Sequence, residues 1–456
     1  MMLVYEISHT HIFAAKHKFA MSAWLQFMID GGESPRLVPL KLLYLIHYAA
    51  FSTQTFLPMY FDTTEHYSKF QIGVLLAIPC VCSIVGPVVW GAAADLLHNQ
   101  KLVHIVCLVS AALLMFMLQY VESFELMCLM FFLANFQTQP TWSLLDQVAM
   151  EMLDSVGGDY GKQRLYGAIG YGIGGYMSGV IAGAVGIKWC FNMVVALSVV
   201  SLYILVRHIP STKRSQTDVD FWGSLKHILQ LRDVLTLFVL VLVIGIMAQL
   251  IDSFLFLYLF NLAGNNSNLV GIVIAVETTS ELPLFFHANK IIDRLGTPKV
   301  IFLGIMAYCI RLMTYTMLYN PWLVLPVEIL HGVTFGLVWA AFTNYVYQSA
   351  PQGTEGTMIG LLAAVQKGVG GGAGTLAGGF IYQEFGPRVM WGSALVFVLP
   401  MALIVTITFS FIAKNRRSLV ADKLVELEEQ PFLKNRSPLY GAIHHLGSSG
   451  CLQDLG

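Results

Sequence analysis

Charge is what this sequence has least of. Asp, Glu, Lys and Arg make up 12% of its 456 residues, against about 25% in an ordinary soluble domain. With 56% hydrophobic residues and a mean hydropathy of +0.67, too little polar material is left to coat a water-facing surface, so lipid must supply part of the solvent. No Lys/Arg-dense arm with interleaved aromatics is present, and no nucleic-acid partner is expected. H-E-x-x-H, G-x-S-x-G and zinc-ligand spacings are missing, as are paired catalytic carboxylates outside the helices. Neither an enzyme, a metal site nor a cofactor is therefore expected. Six of the seven cysteines fall in apolar runs, and Cys80/Cys82 is C-x-C rather than C-x-x-C. They read as small packing residues, not as a disulfide framework. The first 35 residues lack a cleavage site after a proper apolar core, so they read as a cytoplasmic tail rather than a signal peptide.

What the sequence has is long apolar runs. A spanning helix needs roughly 20 mostly apolar residues. Twelve such runs are present, at about 37–61, 70–97, 101–120, 123–148, 163–187, 189–208, 233–262, 268–290, 298–318, 321–348, 355–384 and 388–414. The expected fold is an all-α membrane protein of twelve transmembrane helices in two pseudo-symmetric six-helix bundles. The expected order is an N-terminal tail over 1–36, a first bundle over 37–208, a polar linker over 209–232, a second bundle over 233–414 and a disordered tail over 415–456. Short loops at one side collect most Lys and Arg, including Lys101, Lys162, Arg207, Lys299 and Arg416, whereas the other side has Lys69, Lys188 and Arg388. By the positive-inside rule both termini are cytoplasmic. The sequon Asn265-Asn266-Ser267 then lies in an outward loop, making Asn265 a candidate glycosylation site. The plasma membrane and an endomembrane both remain open, and a monomer is expected.

The halves repeat each other weakly. Asp95 closes the second run and Asp293-Arg294 the eighth, 198 residues later. The fifth run carries Gly167, Gly170, Gly172 and Gly174; the eleventh carries Gly368, Gly370, Gly372 and Gly374. Glycine at this density lets helices approach closely and slide. Repeated halves joined by a linker suit a rocking transporter, with Asp95, Asp293 and Arg294 as candidate gate contacts at helix ends.

An ionised side chain at a helix centre costs on the order of 2.5–3.5 kcal/mol on insertion scales. The candidates that carry this cost are Asp146, Arg164, Asp252, Glu277, Glu281, Arg311, Glu328, His331 and Lys367. They must face a wet cavity or each other. Asp252 and Lys367 read equally as a structural ion pair. Glu328 and His331 share a helix face and read as a local hydrogen bond or a proton relay. Arg164 reads as an anchor at the membrane edge or as part of a site. Five acids face three fixed cations, so at least one carboxyl is expected to exchange a proton as access alternates.

At this point the residues resemble a known family, the major facilitator superfamily, across essentially all twelve runs. Within it the chain is similar to the oligosaccharide–proton symporter group of lactose-permease type. The Glu328–Phe335 segment looks more like the eukaryotic major-facilitator-associated domain branch. The stretch Tyr160–Gly167 resembles the group's motif opening the fifth helix, with Asp146 at the position of its fourth-helix acid and Tyr171 at its sugar-stacking aromatic. Glu277, Arg311 and His331 match its eighth-, ninth- and tenth-helix polar residues, and Lys367 its eleventh-helix lysine, with Asp252 as partner. The group's proton-carrying tenth-helix carboxylate falls here on Thr334, and a nearby lysine on Glu328.

The resemblance implies a secondary active transporter, a proton-coupled symporter of a sugar or similar polyhydroxylated solute. Asp146, Arg164, Tyr171, Glu277 and His331 would bind solute. Glu328, Glu277, Arg311 and His331 would couple protons, with Glu328 the first choice. A uniporter or exporter of a nucleoside or amphipathic solute is the alternative within transport, and a non-transporting receptor on the same fold is the alternative outside it.

Overall fold

The structure is a computed structural model that describes residues 33–210, 231–350 and 354–428; of Asp95, Glu355 and 415–428 it describes the backbone alone. The linker centre and both chain ends lie outside the described residues. Twelve helical spans follow one another. The first is Val38–Ser52, a 3-10 turn Thr53–Phe56 and Leu57–Thr63. The second to ninth are Lys69–Leu97, Gln100–Met117, Phe124–Val156, Tyr160–Val185, Trp189–His208, Arg232–Leu262, Ser267–Leu295 and Thr297–Met317. The last three are interrupted by π turns. The tenth carries Gly332–Leu337 before Val338–Ser349, the eleventh Ala364–Gly370 after Glu355–Ala363, and the twelfth Ala394–Val398 before Leu399–Glu428. Among the described residues nine of these helices are long and apolar enough to cross a membrane. The fourth is more polar, with Gln137, Gln139 and Asp146.

Two differences from the expected runs have local causes. The fourth helix continues past 148 to Val156, because Glu151 and Asp154 are no barrier once the helix has left the lipid; it stops at Gly157, whose φ of 75° suits glycine. The twelfth continues to Glu428, into the segment expected to be a disordered tail. That stretch has no Gly or Pro before Pro431, so nothing in the chain breaks the helix.

Glycine sets the packing inside each bundle, and in the same way in both. A Cβ on Gly170 would lie 2.1 Å from the Leu45 carbonyl oxygen, and one on Gly174 2.4 Å from that of Ala49. In the second half a Cβ on Gly370 would lie 2.6 Å from the Leu242 oxygen, and one on Gly374 2.4 Å from that of Ile246. The fifth span thus rests on the first as the eleventh rests on the seventh. Because the obstacle is backbone, a side chain cannot swing aside. Gly170→Ala should lower stability by about 1–3 kcal/mol, read as a drop in the unfolding temperature of detergent-solubilised protein.

The bundles meet at the ends of the spans away from the chain termini. There Gly73 of the second span approaches Gly379 of the eleventh, and Gly179 of the fifth approaches Gly271 of the eighth, at 3.0 and 2.8 Å from a built Cβ to the facing Cα. Two hydrogen bonds crossing between bundles lie at this end: Asn261 Nδ2 to Asp62 Oδ2 at 3.0 Å, and the Lys69 amide to Gln383 Oε1 at 2.8 Å. Lys69 also pairs with Asp62. Toward the terminal end, Gly91, Gly356 and Gly360 would meet nothing within 4 Å of an added Cβ. Among the described residues these close contacts between the bundles lie at the end of the spans away from the termini.

Candidate functional site

Asp146 of the fourth span and Arg164 of the fifth face each other inside the first bundle. Arg164 Nη1 donates to Asp146 Oδ2 at 2.8 Å and to Oδ1 at 3.1 Å. Asp159 caps the fifth helix through the Gly161 and Lys162 amides, which fixes where Arg164 emerges. The Tyr44 hydroxyl donates to Asp146 Oδ1 at 2.7 Å, and Tyr160 Oη accepts from Arg164 at 3.3 Å. The pair stays solvent-reached, with side chains 30% and 47% exposed, so it is braced but open to a ligand. One turn beyond, Tyr48 packs edge-on to Trp142 at 4.4 Å, and Phe51 lies at 5.4 Å from the same ring. The Tyr48 hydroxyl is buried and has no hydrogen-bond partner among the described residues. Tyr171 is half-buried, its hydroxyl 2.8 Å from Thr55 Oγ1. The first bundle therefore lines its face with one ion pair and several aromatic rings.

The second bundle holds a denser network around Arg311, which is 1% exposed. Its guanidinium donates to Glu328 at 2.7 Å, to Thr334 Oγ1 at 2.7 Å and to Tyr315 Oη at 2.8 Å, and it reaches Glu277 at 3.5 Å. Tyr315 in turn donates to the second oxygen of Glu328 at 2.5 Å. Both carboxylate oxygens of Glu328 are thereby held, and its side chain is fully buried. His331 lies between two further acids, with Nε2 2.8 Å from Glu281 and Nδ1 3.7 Å from Glu277.

The tenth helix can present Glu328 and His331 to the same cluster because its backbone is irregular there. Gly332 comes so close to the eighth span that a Cβ would sit 2.4 Å from the Ser280 oxygen. The Gly332 amide is satisfied by Ser280 Oγ at 3.1 Å, as an interrupted membrane helix requires. Glu277, Glu328 and His331 present donor atoms within 4.8 Å of one another, a grouping that could hold a metal ion. The Arg311 guanidinium already supplies positive charge between the two carboxylates, which disfavours a cation there.

The remaining expected residues are placed as follows. Asp252 and Lys367 are both solvent-exposed, and no ion pair joins them in this conformation among the described residues. Asp293 and Arg294 stand exposed at the terminal-side end of the eighth helix. The side chain of Asp95 lies outside the described residues. Asn265 is exposed in the tight turn between the seventh and eighth spans, with φ 68°, and Asn266 caps the helix that follows. The six described cysteines are free thiols. Sequence reasoning missed Tyr44, Thr55 and Tyr315, and named Tyr160 only as the start of the fifth-helix motif. Tyr315 was findable, since it follows Arg311 by four residues and so shares its helix face. Tyr44 had no such signal, because its partner is 102 residues away.

With this geometry in view, comparison with known proteins is decisive for the family. The sequence model of the MFS_1 like family matches residues 37–393. The chain belongs to that family. It is therefore a multi-pass membrane transporter of the major facilitator superfamily and not an enzyme. Among relatives of this MFS_1-like protein, the maltose permease of Geobacillus stearothermophilus is 24% identical over 399 residues, covering 86% of this chain and 98% of that one. The major facilitator superfamily domain-containing protein 6-like protein B of Xenopus laevis is 32% identical over 164 residues, 36% of this chain and 26% of that one. Among solved structures, the nucleoside transporter NupG superposes with a TM-score of 0.71 at 18% identity, covering 84% of this chain and all of that one. The POT family transporter PepTSo superposes at 0.67 with 12% identity, covering 84% and 98%. These likenesses establish the shared fold.

Proposed function

We propose that this transporter is a proton-coupled symporter of a neutral polyhydroxylated solute, a sugar or a nucleoside, working by alternating access. The observation that carries the reading is the charge balance of the second bundle's network. Glu277, Glu281 and Glu328 share one fixed cation, Arg311, and one imidazole, His331. With every carboxyl ionised the cluster stays net negative even if His331 is charged. A site enclosed by a low-dielectric medium relieves that imbalance by taking up a proton. The geometry also ranks the carriers. Glu328 has both oxygens committed, one of them to a permanent cation, so we read it as the fixed counter-ion of Arg311. Glu277 touches Arg311 only at 3.5 Å and faces His331, so we assign the exchangeable proton to Glu277 with His331 and Glu281.

Solute binding is assigned to Asp146 and Arg164 with Tyr171 as an apolar ring face. Hydroxyls suit a charged pair that is open to solvent, because charge-assisted hydrogen bonds are about twice as strong as neutral ones. The relatives named for maltose and nucleoside transport carry solutes of this chemistry. The Lys/Arg distribution supports cytoplasmic termini, so the bundle contacts made by Gly73, Gly179, Asp62 and Lys69 would lie at the outer side of the membrane.

The test is uptake into proteoliposomes of the full chain, with maltose and uridine as probes and an imposed inward proton gradient. Uphill accumulation of at least one probe, collapsed by an uncoupler, is the expected result; uptake indifferent to the gradient would instead indicate a uniporter. Tyr44→Phe removes a hydrogen bond to a carboxylate, worth about 1.5–3 kcal/mol. It should raise the KM for the transported probe about tenfold or more while leaving protein yield unchanged.

A further inference from the structure

We infer that Asp252 and Lys367 are the solute-binding charges of the second bundle, each receiving a hydroxyl of the solute, and are not a structural ion pair. The inference rests on the solute class proposed above and adds the half of the site that the resemblance does not supply. Among the nine described helices long and apolar enough to cross a membrane the seventh is the most enclosed, yet Asp252 is exposed while the residues on either side of it are buried. Lys367 is exposed in the same way beside the buried Gln366 and Gly368. Their exposure is to the interior. The groups that act on Asp252 include His331, Arg311, Lys367, Glu281 and Glu277, and those that act on Lys367 include Asp252, Arg164, Cys80 and Glu281. Lys367 thus sits within electrostatic range of the Asp146–Arg164 pair across the bundle boundary.

Nothing in the packing asks for an ion pair here. The seventh and eleventh helices are already in backbone contact through Gly245, Gly370 and Gly374; a Cβ on Gly245 would lie 2.4 Å from the Gln366 oxygen. Ser253 and Thr375 add a hydroxyl contact at 3.1 Å. Lys367 itself lies within the π turn Ala364–Gly370, a backbone irregularity that is frequent at functional sites. The other strong polar groups of this bundle are spoken for. Arg311 and Glu328 are 1% and 0% exposed and bound to each other, and Glu277 is 7% exposed.

A hydroxyl group donates to a carboxylate and accepts from an ammonium, so two neighbouring hydroxyls of one solute satisfy Asp252 and Lys367 together. In a solvent-reached conformation water would serve the same groups. When the cavity closes, that water is lost, and an uncompensated charge in a drier site is costly. A bound polyol replaces the lost partners, so solute would favour the closed conformation over the open one.

The experiment uses Asp252→Asn, Lys367→Gln, the double neutral variant and the charge-reversed pair Asp252→Lys/Lys367→Asp, in the purified full chain. Unfolding without solute is read first, then KM for maltose and uridine in proteoliposomes. Supporting results are additive effects of the two single changes on unfolding, and a tenfold or greater rise in KM in each single variant that neither double variant relieves. The inference is overturned if the single changes are strongly coupled in unfolding and the double neutral variant regains the wild-type KM, since that is how a structural pair behaves. It is equally overturned if both single variants keep the wild-type KM. Should the wild type take up neither probe, the proposed solute class fails, and the unliganded unfolding cycle still decides here: additivity supports two separate charges, coupling overturns them.

Discussion

Arg311→Gln should destabilise the second bundle by about 3–5 kcal/mol and abolish transport. Truncating one partner of a buried ion pair leaves the other charge without compensation, and the loss is correspondingly large. Here the abandoned groups are Glu328, fully buried, and Glu277, 7% exposed, with the Thr334 and Tyr315 hydroxyls each losing the donor they accept from as well. The comparison that isolates this cause is Arg311→Gln/Glu328→Gln. Removing both charges should recover most of the lost stability, because neither is then buried alone. Thermal unfolding of the two variants in detergent reads the difference. Equal stability of wild type and Arg311→Gln would mean that the network contributes nothing to holding the bundle.

Glu277→Gln should separate solute movement from proton movement. The change keeps the shape of the side chain and leaves the Arg311–Glu328 pair intact, so the fold should survive. What disappears is the carboxyl that lies between Arg311 and His331. Uphill accumulation should fall until inside and outside concentrations are equal, while exchange of labelled for unlabelled solute continues. Glu328→Gln is expected to behave differently. It leaves Arg311 without its close partner in a dry environment, so it should lower stability first and transport as a consequence. If Glu328→Gln were stable and selectively uncoupled, and Glu277→Gln transported uphill normally, the roles assigned to the two acids would be reversed.

The fold was largely legible in the sequence because a membrane makes hydropathy and length nearly sufficient. Each expected run coincides with an observed helix. The fourth and twelfth helices were drawn too short because charged residues were taken as the end of a helix when they mark the end of the lipid contact. The site was legible in part. Asp146 and Arg164 do meet, and Glu277, Arg311 and His331 do share one network. Three-residue spacing placed Glu328 and His331 on one face, but they bond to different partners, Glu328 to Arg311 and Tyr315, His331 to Glu281. Both still face one cluster, since Glu277, Glu328 and His331 present donor atoms within 4.8 Å of one another; what local spacing does not show is which partner each takes. The expected Asp252–Lys367 ion pair does not form in this conformation among the described residues, and Lys367 lies in a π turn where regular helical spacing does not hold. Tyrosines such as Tyr44 were invisible because a hydroxyl across a bundle leaves no trace in local spacing.

Proton coupling through Glu277 is most directly tested by following external pH while solute enters de-energised proteoliposomes of the full chain down its own gradient. With maltose or uridine as the entering probe, the wild type should alkalinise the medium in proportion to solute uptake, and Glu277→Gln should take up solute with no pH change. Solute entry by the wild type without alkalinisation would contradict symport, and an undiminished pH signal from Glu277→Gln would contradict the assignment of the proton to that residue.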